Sequence, residues 1–111
     1  MKPIPKSLLI HSATAVKKGA PDLWGNRADE KRTELSRIRI EPSSALSLSK
    51  SNEQIKLVAI LFYDCRNSRP VGYDFSHADK IEIGEKQYDI VNVQTLYDDR
   101  RLHHLEVELC L

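Results

Sequence analysis

The sequence predicts an all-β fold, a small barrel or sandwich of about six antiparallel strands with two long loops, near residues 17–32 and 42–53. Three observations carry that expectation. Apolar residues alternate with a period of two in short runs, and no sustained period of 3.6 competes with them. β-branched and aromatic residues fill those runs. Pro, Gly, Asn, Asp and Ser gather between them, where the chain must turn. With 41% hydrophobic and 30% charged residues the chain is globular rather than disordered. Its 111 residues make one domain, 1–111, with a modest core and no room for separate catalytic subdomains.

Taken in order, Ser7 to Lys17 reads as a first strand, strong at Leu8-Leu9-Ile10 and weakly alternating through His11, Ala13 and Ala15. Lys17 to Arg32 combines turn residues and dense charge with no apolar period, so it reads as a long loop or arm. Within it Leu23 and Trp24, the only tryptophan, read first as a lid folded over the core and second as an anchor for a partner. Thr33 to Glu41 sets Leu35, Ile38 and Ile40 against Arg37, Arg39 and Glu41, a half-buried strand. A helix over Arg27 to Arg37 would carry too few apolar residues for a buried stripe. Pro42 to Asn52 is serine-rich with two leucines, and its polarity predicts a mobile loop. Gln54 to Tyr63, the longest apolar run, predicts a central strand. Asp64 to Phe75 breaks into a long turn.

Asp79 to Val93 predicts a hairpin joined at Gly84, with Ile83 opposite Tyr88 and Ile81 opposite Ile90. The phase slips at Val91 and Val93, which predicts a β-bulge of the kind that bends a sheet towards closure. Gln94 to Arg101 reads as a turn. A last strand places His103, Leu105, Val107, Leu109 and Leu111 on one face and His104, Glu106, Glu108 and Cys110 on the other.

Several function classes lack residues to support them. No run is long and apolar enough to span a bilayer, and Met1 to Ile10 does not lead into a signal-peptide segment, so a cytosolic origin is expected. Cys65 and Cys110 belong to no metal-spaced set, which predicts reduced thiols. Of His11, His77, His103 and His104, the adjacent pair is expected on opposite strand faces, unable to share an ion; no metal or cofactor is expected. Cys65 as a nucleophile is disfavoured because neighbouring Asp64 would raise its thiol pKa. Phosphate loops, nucleophile elbows and HExxH motifs do not occur. Net charge is +1, yet residues 1–40 carry nine basic residues against four acidic, and 41–111 carry eight against twelve. Such halves can meet across a subunit boundary or intermix within one subunit. A basic small barrel could bind nucleic acid, but the basic stretch offers only Trp24 for base stacking.

Four blocks carry a family resemblance: Leu61-Phe62-Tyr63-Asp64-Cys65-Arg66-Asn67-Ser68-Arg69-Pro70, Phe75-Ser76-His77-Ala78-Asp79-Lys80-Ile81, Tyr88-Asp89-Ile90-Val91 and His103-His104-Leu105-Glu106-Val107. With the start, Lys2-Pro3-Ile4-Pro5-Lys6-Ser7-Leu8-Leu9-Ile10-His11, they resemble minor capsid proteins encoded after the major capsid gene in tailed phages and prophages of Gram-positive bacteria. The strand order is also similar to that of siphophage head-closure, or stopper, proteins. That resemblance implies a non-catalytic virion protein, made in the bacterial cytoplasm and assembled as a ring in the head-tail connector. Its implied partners are an adaptor or portal protein and a tail-completion protein, with contact to packaged DNA. A channel-gating loop would then comprise Ser44, Leu46, Leu48, Lys50 and Asn52, and Leu23, Trp24, Arg27, Arg66 and Arg69 would face neighbours. The alternative is a nucleic-acid-binding small β-barrel.

Overall fold

The protein is described from a computed structural model covering residues 2–18, 24, 30–49, 51–76 and 79–111. Its strands are β1 (His11–Lys17), β2 (Lys31–Pro42), β3 (Leu46–Leu48), β4 (Gln54–Lys56), β5 (Ala59–Asp64), β6 (Lys80–Ile83), β7 (Lys86–Asp98) and β8 (Arg101–Cys110). Six of them close into an antiparallel barrel in the order β1-β2-β5-β8-β7-β6, while β3 and β4 form a separate two-stranded ribbon. Closure removes the unpaired sheet edges that an open sheet of this size would expose. The expected all-β barrel is therefore the fold observed, with no α-helix among the described residues.

The barrel interior follows from the period-two pattern. Leu35, Ile38, Leu61, Tyr63, Ile81, Val107 and Leu109 are each at most 1% exposed and come from β2, β5, β6 and β8. β1 contributes the small Ala13 and Ala15, which make room for these larger side chains. Leu35 and Ile38 are an odd number apart, so a regular strand would send them to opposite faces. A bulge reconciles them: β2 slips against β1 between the His11–Ile38 and Ala13–Leu35 pairs, and Arg37 takes a positive φ of 53°. The second bulge is the one the sequence announces. β7 slips between Ile90 and Asn92, leaving Ile90 and Val91 both buried.

Five local expectations are corrected. The first strand begins at His11, because Lys6–Leu8 forms a 3-10 turn after Pro5. The run Gln54 to Tyr63 is not one strand: β4 ends at Lys56, and Leu57 and Val58 carry the chain from ribbon to barrel, bonding to Ala45 and Leu109 carbonyls. In the β6–β7 hairpin Ile81 faces Tyr88 and Ile83 faces Lys86, two residues from the expected register. The loop is Gly84-Glu85, and Gly84 alone takes a positive φ, 62°, the pattern of a type II′ turn whose twist suits a tight hairpin. Gln94 to Tyr97 is strand rather than turn, paired with Thr95 opposite Leu105 and closing at Asp98 opposite Arg101. Pro42 to Asn52 is not a structureless loop, since Leu46–Leu48 pairs with Gln54–Lys56.

Candidate functional site

Two regions concentrate the side-chain chemistry. The first is the turn after β5. Asp64 is fully buried, and its carboxylate accepts from the Ile4, Arg66 and Asn67 backbone N–H groups at 3.0, 3.0 and 2.8 Å. A buried carboxylate is tolerable only when its oxygens are satisfied in this way. Ser68, also fully buried, accepts from the Asp64 N–H and donates to the Arg37 carbonyl, filling the β2 bulge. The Asn67 amide donates to the Ile4 carbonyl, and Tyr63 donates to the Pro70 carbonyl. Ser36 and Arg69 exchange backbone hydrogen bonds at 2.9 and 3.0 Å. One short turn thus fastens β2, β5 and the amino-terminal segment together.

The second region is the ribbon. Alternation turns Ser47 and Ile55 inwards and leaves Leu46 and Leu48 65% and 57% exposed. Ser47 Oγ donates to Glu108 Oε1 at 2.6 Å, Asn92 Nδ2 to the same oxygen at 3.1 Å, and Gln94 Nε2 to Glu108 Oε2 at 3.1 Å. The Asn92 amide also reaches the Leu48 carbonyl at 2.8 Å. Glu108 is only 8% exposed, so this polar cluster is both the ribbon's mooring and the compensation for a buried charge. The tip is a serine-rich turn in which Ser49 N–H donates to the Glu53 carbonyl and Asn52 takes a positive φ of 63°. The ribbon therefore lies against β7 and β8, its leucines turned outwards and its polar mooring at Ser47 and Leu48, next to the tip.

A sequence model of the minor capsid protein family matches residues 5–109, nearly the whole chain and both of these regions. The chain belongs to the minor capsid protein family. It is a structural protein of the phage virion rather than an enzyme. No curated protein matches it.

In a minor capsid protein the residues singled out for chemistry take structural roles. Burial, and then Asp64, push the Cys65 thiol above its ordinary range, the direction expected from the sequence and the wrong one for a nucleophile. His11 Nδ1 accepts the Ile40 N–H at 3.0 Å. His103 and His104, expected to point apart, instead meet at 2.7 Å between their Nδ1 atoms, because the β7–β8 register shifts between the Leu96–His104 and Tyr97–Leu102 pairs and leaves His103 in a bulge. No group of three potential metal ligands occurs among the described residues, and His77 lies outside them. Asp79, 5% exposed, is held by Lys17 Nζ at 2.7 Å and the Ser76 N–H at 3.0 Å. Burial pulls the Lys17 ammonium down, but its bond to Asp79 and the surrounding charges outweigh this and raise it.

The proposed site residues separate in space. Ser44, Leu46, Leu48 and Asn52 all lie on the exposed ribbon segment; Lys50 lies outside the described residues. Arg66 and Arg69 are exposed at the Asp64 turn, where the Arg69 guanidinium bonds to the Arg66 and Ser68 carbonyls. Trp24 is 86% exposed and is no lid over the core, while Leu23 and Arg27 lie outside the described residues. The mooring formed by Asn92, Gln94 and Glu108 was missed from sequence. Its one signal, Glu108 on the outward phase of β8, reads there as ordinary solvated charge.

Proposed function

We propose that this minor capsid protein closes the DNA-filled head at the head-tail connector and presents the surface to which the tail attaches. In this reading the barrel is a rigid ring subunit, the ribbon tip faces the DNA channel, and the 17–32 arm with Arg66 and Arg69 meets neighbouring proteins. The partners are an adaptor or portal protein on one side and a tail-completion protein on the other. The observation that carries the reading is the ribbon, a finger outside the barrel ladder, moored through a polar cluster around one carboxylate, with two leucines facing outwards. A gate must move without unfolding its support, and an element outside the main sheet can do so.

Identical subunits in a ring need two different complementary patches, which the unequal charge of residues 1–40 and 41–111 can supply. The nucleic-acid-binding alternative gains little from the fold. Tyr63 and Tyr73 each pack edge-on against Phe75 instead of forming a stacking platform. Deletion of Ala45 to Asn52 tests the proposal in virions. Heads that package DNA and then lose it are expected. Normal retention would move the gate to the 17–32 arm, and tight single-stranded DNA binding by a monomer indifferent to connector proteins would overturn the connector reading.

A further inference from the structure

An apolar groove of about 500 Å³ opens between the β7–β8 hairpin and the 71–75 segment, over a floor of Tyr63, Phe75 and Leu105. Its walls carry Val71 and Leu102, both exposed, and exposed Tyr97 lies opposite Leu102 on the same side of the hairpin. Exposed apolar side chains gathered over a concave floor mark an interaction surface. Among the described residues lining it, Asp74 is the one that carries a charge, and it is exposed.

The outer face of the ribbon has the matching character. Leu46 and Leu48 turn to solvent about 7 Å apart along β3, and cross-strand pairing sets Lys56 beside Leu46 and Gln54 beside Leu48 on that same face. Two leucines and one positive charge thus answer an apolar groove with one negative charge. The two surfaces occupy opposite faces of one hairpin: Val93, Thr95 and Leu105 line the groove, whereas Asn92, Gln94 and Glu108, on the alternate phase, hold the ribbon. A copy therefore cannot lay its own ribbon in its own groove.

We propose that the leucine face of the ribbon docks in the groove of a second copy of this chain, with Lys56 against the partner subunit's Asp74. Such a contact is heterologous. Each copy has a ribbon to give and a groove to fill, so copies join head to tail until they close a ring or run on as a filament. The contact uses the leucine face rather than the tip, and it stands on the chain's own surfaces, independently of the connector reading. The five exposed apolar side chains Leu46, Leu48, Val71, Tyr97 and Leu102 and one surface ion pair are far fewer than the ~20 to 30 residues a side of a stable interface. Free chains are therefore monomeric at micromolar concentration and associate as they approach about 1 mM or are held together in an assembly.

The test is the mass of the full chain by small-angle X-ray scattering from about 10 μM to about 1 mM, with two variants that each spoil one surface. Leu46→Asp with Leu48→Asp removes the ribbon face, and Val71→Asp with Leu102→Asp removes the groove; all four side chains are exposed, so the core is untouched. The unmodified chain should grow past the dimer, and each variant alone should stay monomeric. Mixed together, the two should form dimers and stop there, because a single ribbon and a single groove remain to pair. A reversal of the charge in Lys56→Asp should weaken association about two- to fivefold, and adding Asp74→Lys should restore it. A mixture that stays monomeric, or a ribbon variant that associates like the unmodified chain, would overturn the contact. So would an unmodified chain still monomeric at about 1 mM, which would leave the groove to a different protein. Should either double variant fail to fold, the charge pair at its two exposed positions decides: no recovery on adding Asp74→Lys overturns the contact.

Discussion

The Asp64 turn and the β3–β4 ribbon are both built around one buried carboxylate, yet they hold the chain in opposite ways. Asp64 sits in a tight turn whose own backbone supplies two of its donors, with Ile4 supplying the third, and Ser68 adds a tie to Arg37. Glu108 receives side chains alone, from Ser47, Asn92 and Gln94, and the ribbon it holds has no strand in the barrel. Backbone donors are fixed by the fold, whereas side-chain donors can let go one at a time. The first arrangement makes scaffold, and the second is the one we propose can swing. The block most specific in the family resemblance is thus a fastening, and the serine-rich stretch is the part to which the proposal gives movement.

Substitutions should separate the two regions, starting with the largest effect. Asp64→Ala leaves three backbone donors without their acceptor in a buried site and should cost about 3 kcal/mol or more in urea denaturation. A cost under about 1 kcal/mol would mean that the turn is no scaffold. Glu108→Ala should cost about 1 to 2 kcal/mol and leave the barrel's near-ultraviolet signal intact, while ribbon amides exchange faster. If barrel amides accelerate equally, the mooring belongs to the core.

Gly84→Ala isolates the hairpin from both regions. Its φ of 62° is open to a Cβ sterically but strained for an L-residue, so a loss of about 1 kcal/mol in thermal denaturation is expected. The smallest effect is the surface pair Arg32–Glu82 at 2.7 Å across the barrel wall. Hydrogen bonds from Arg32 and then Gln87 hold the Glu82 carboxyl below its ordinary range. Because its folded pKa is depressed, whatever stability Glu82 adds is present above the ordinary carboxylate range and lost as pH falls through the folded value. Glu82→Gln should therefore flatten the acid limb of the stability profile slightly, and less so in high salt.

The barrel was legible in the sequence wherever burial enforced alternation. Leu105, Val107 and Leu109 state their face outright, and the slip at Val91 announces the bulge. Legibility failed where backbone pairing, rather than burial, makes the strand. Leu46 to Leu48 pairs with Gln54 to Lys56 while exposing its leucines, and the β7–β8 hairpin runs out to Tyr97, 64% exposed, with little to bury. The hairpin register departs from the expected one because the two-residue turn that Gly84 permits, rather than cross-strand apolar pairing, sets it. Ser44, Leu46, Leu48 and Asn52, named through the resemblance, lie on the exposed ribbon segment. Their mooring was not legible, since Asn92, Gln94 and Glu108 converge only once β7 and β8 are paired and the ribbon lies against them.

Native-state amide hydrogen exchange in low urea tests the contrast most directly, by comparing the Ser49 and Asn52 amides of the ribbon with those of Asp64, Ser68 and Ser36 around the turn. The account predicts that the ribbon amides exchange through a local opening insensitive to urea, while the turn amides exchange only through global unfolding and follow its full urea dependence. Ribbon and turn amides falling on one urea dependence would contradict it, because the finger would then be unable to move without the barrel.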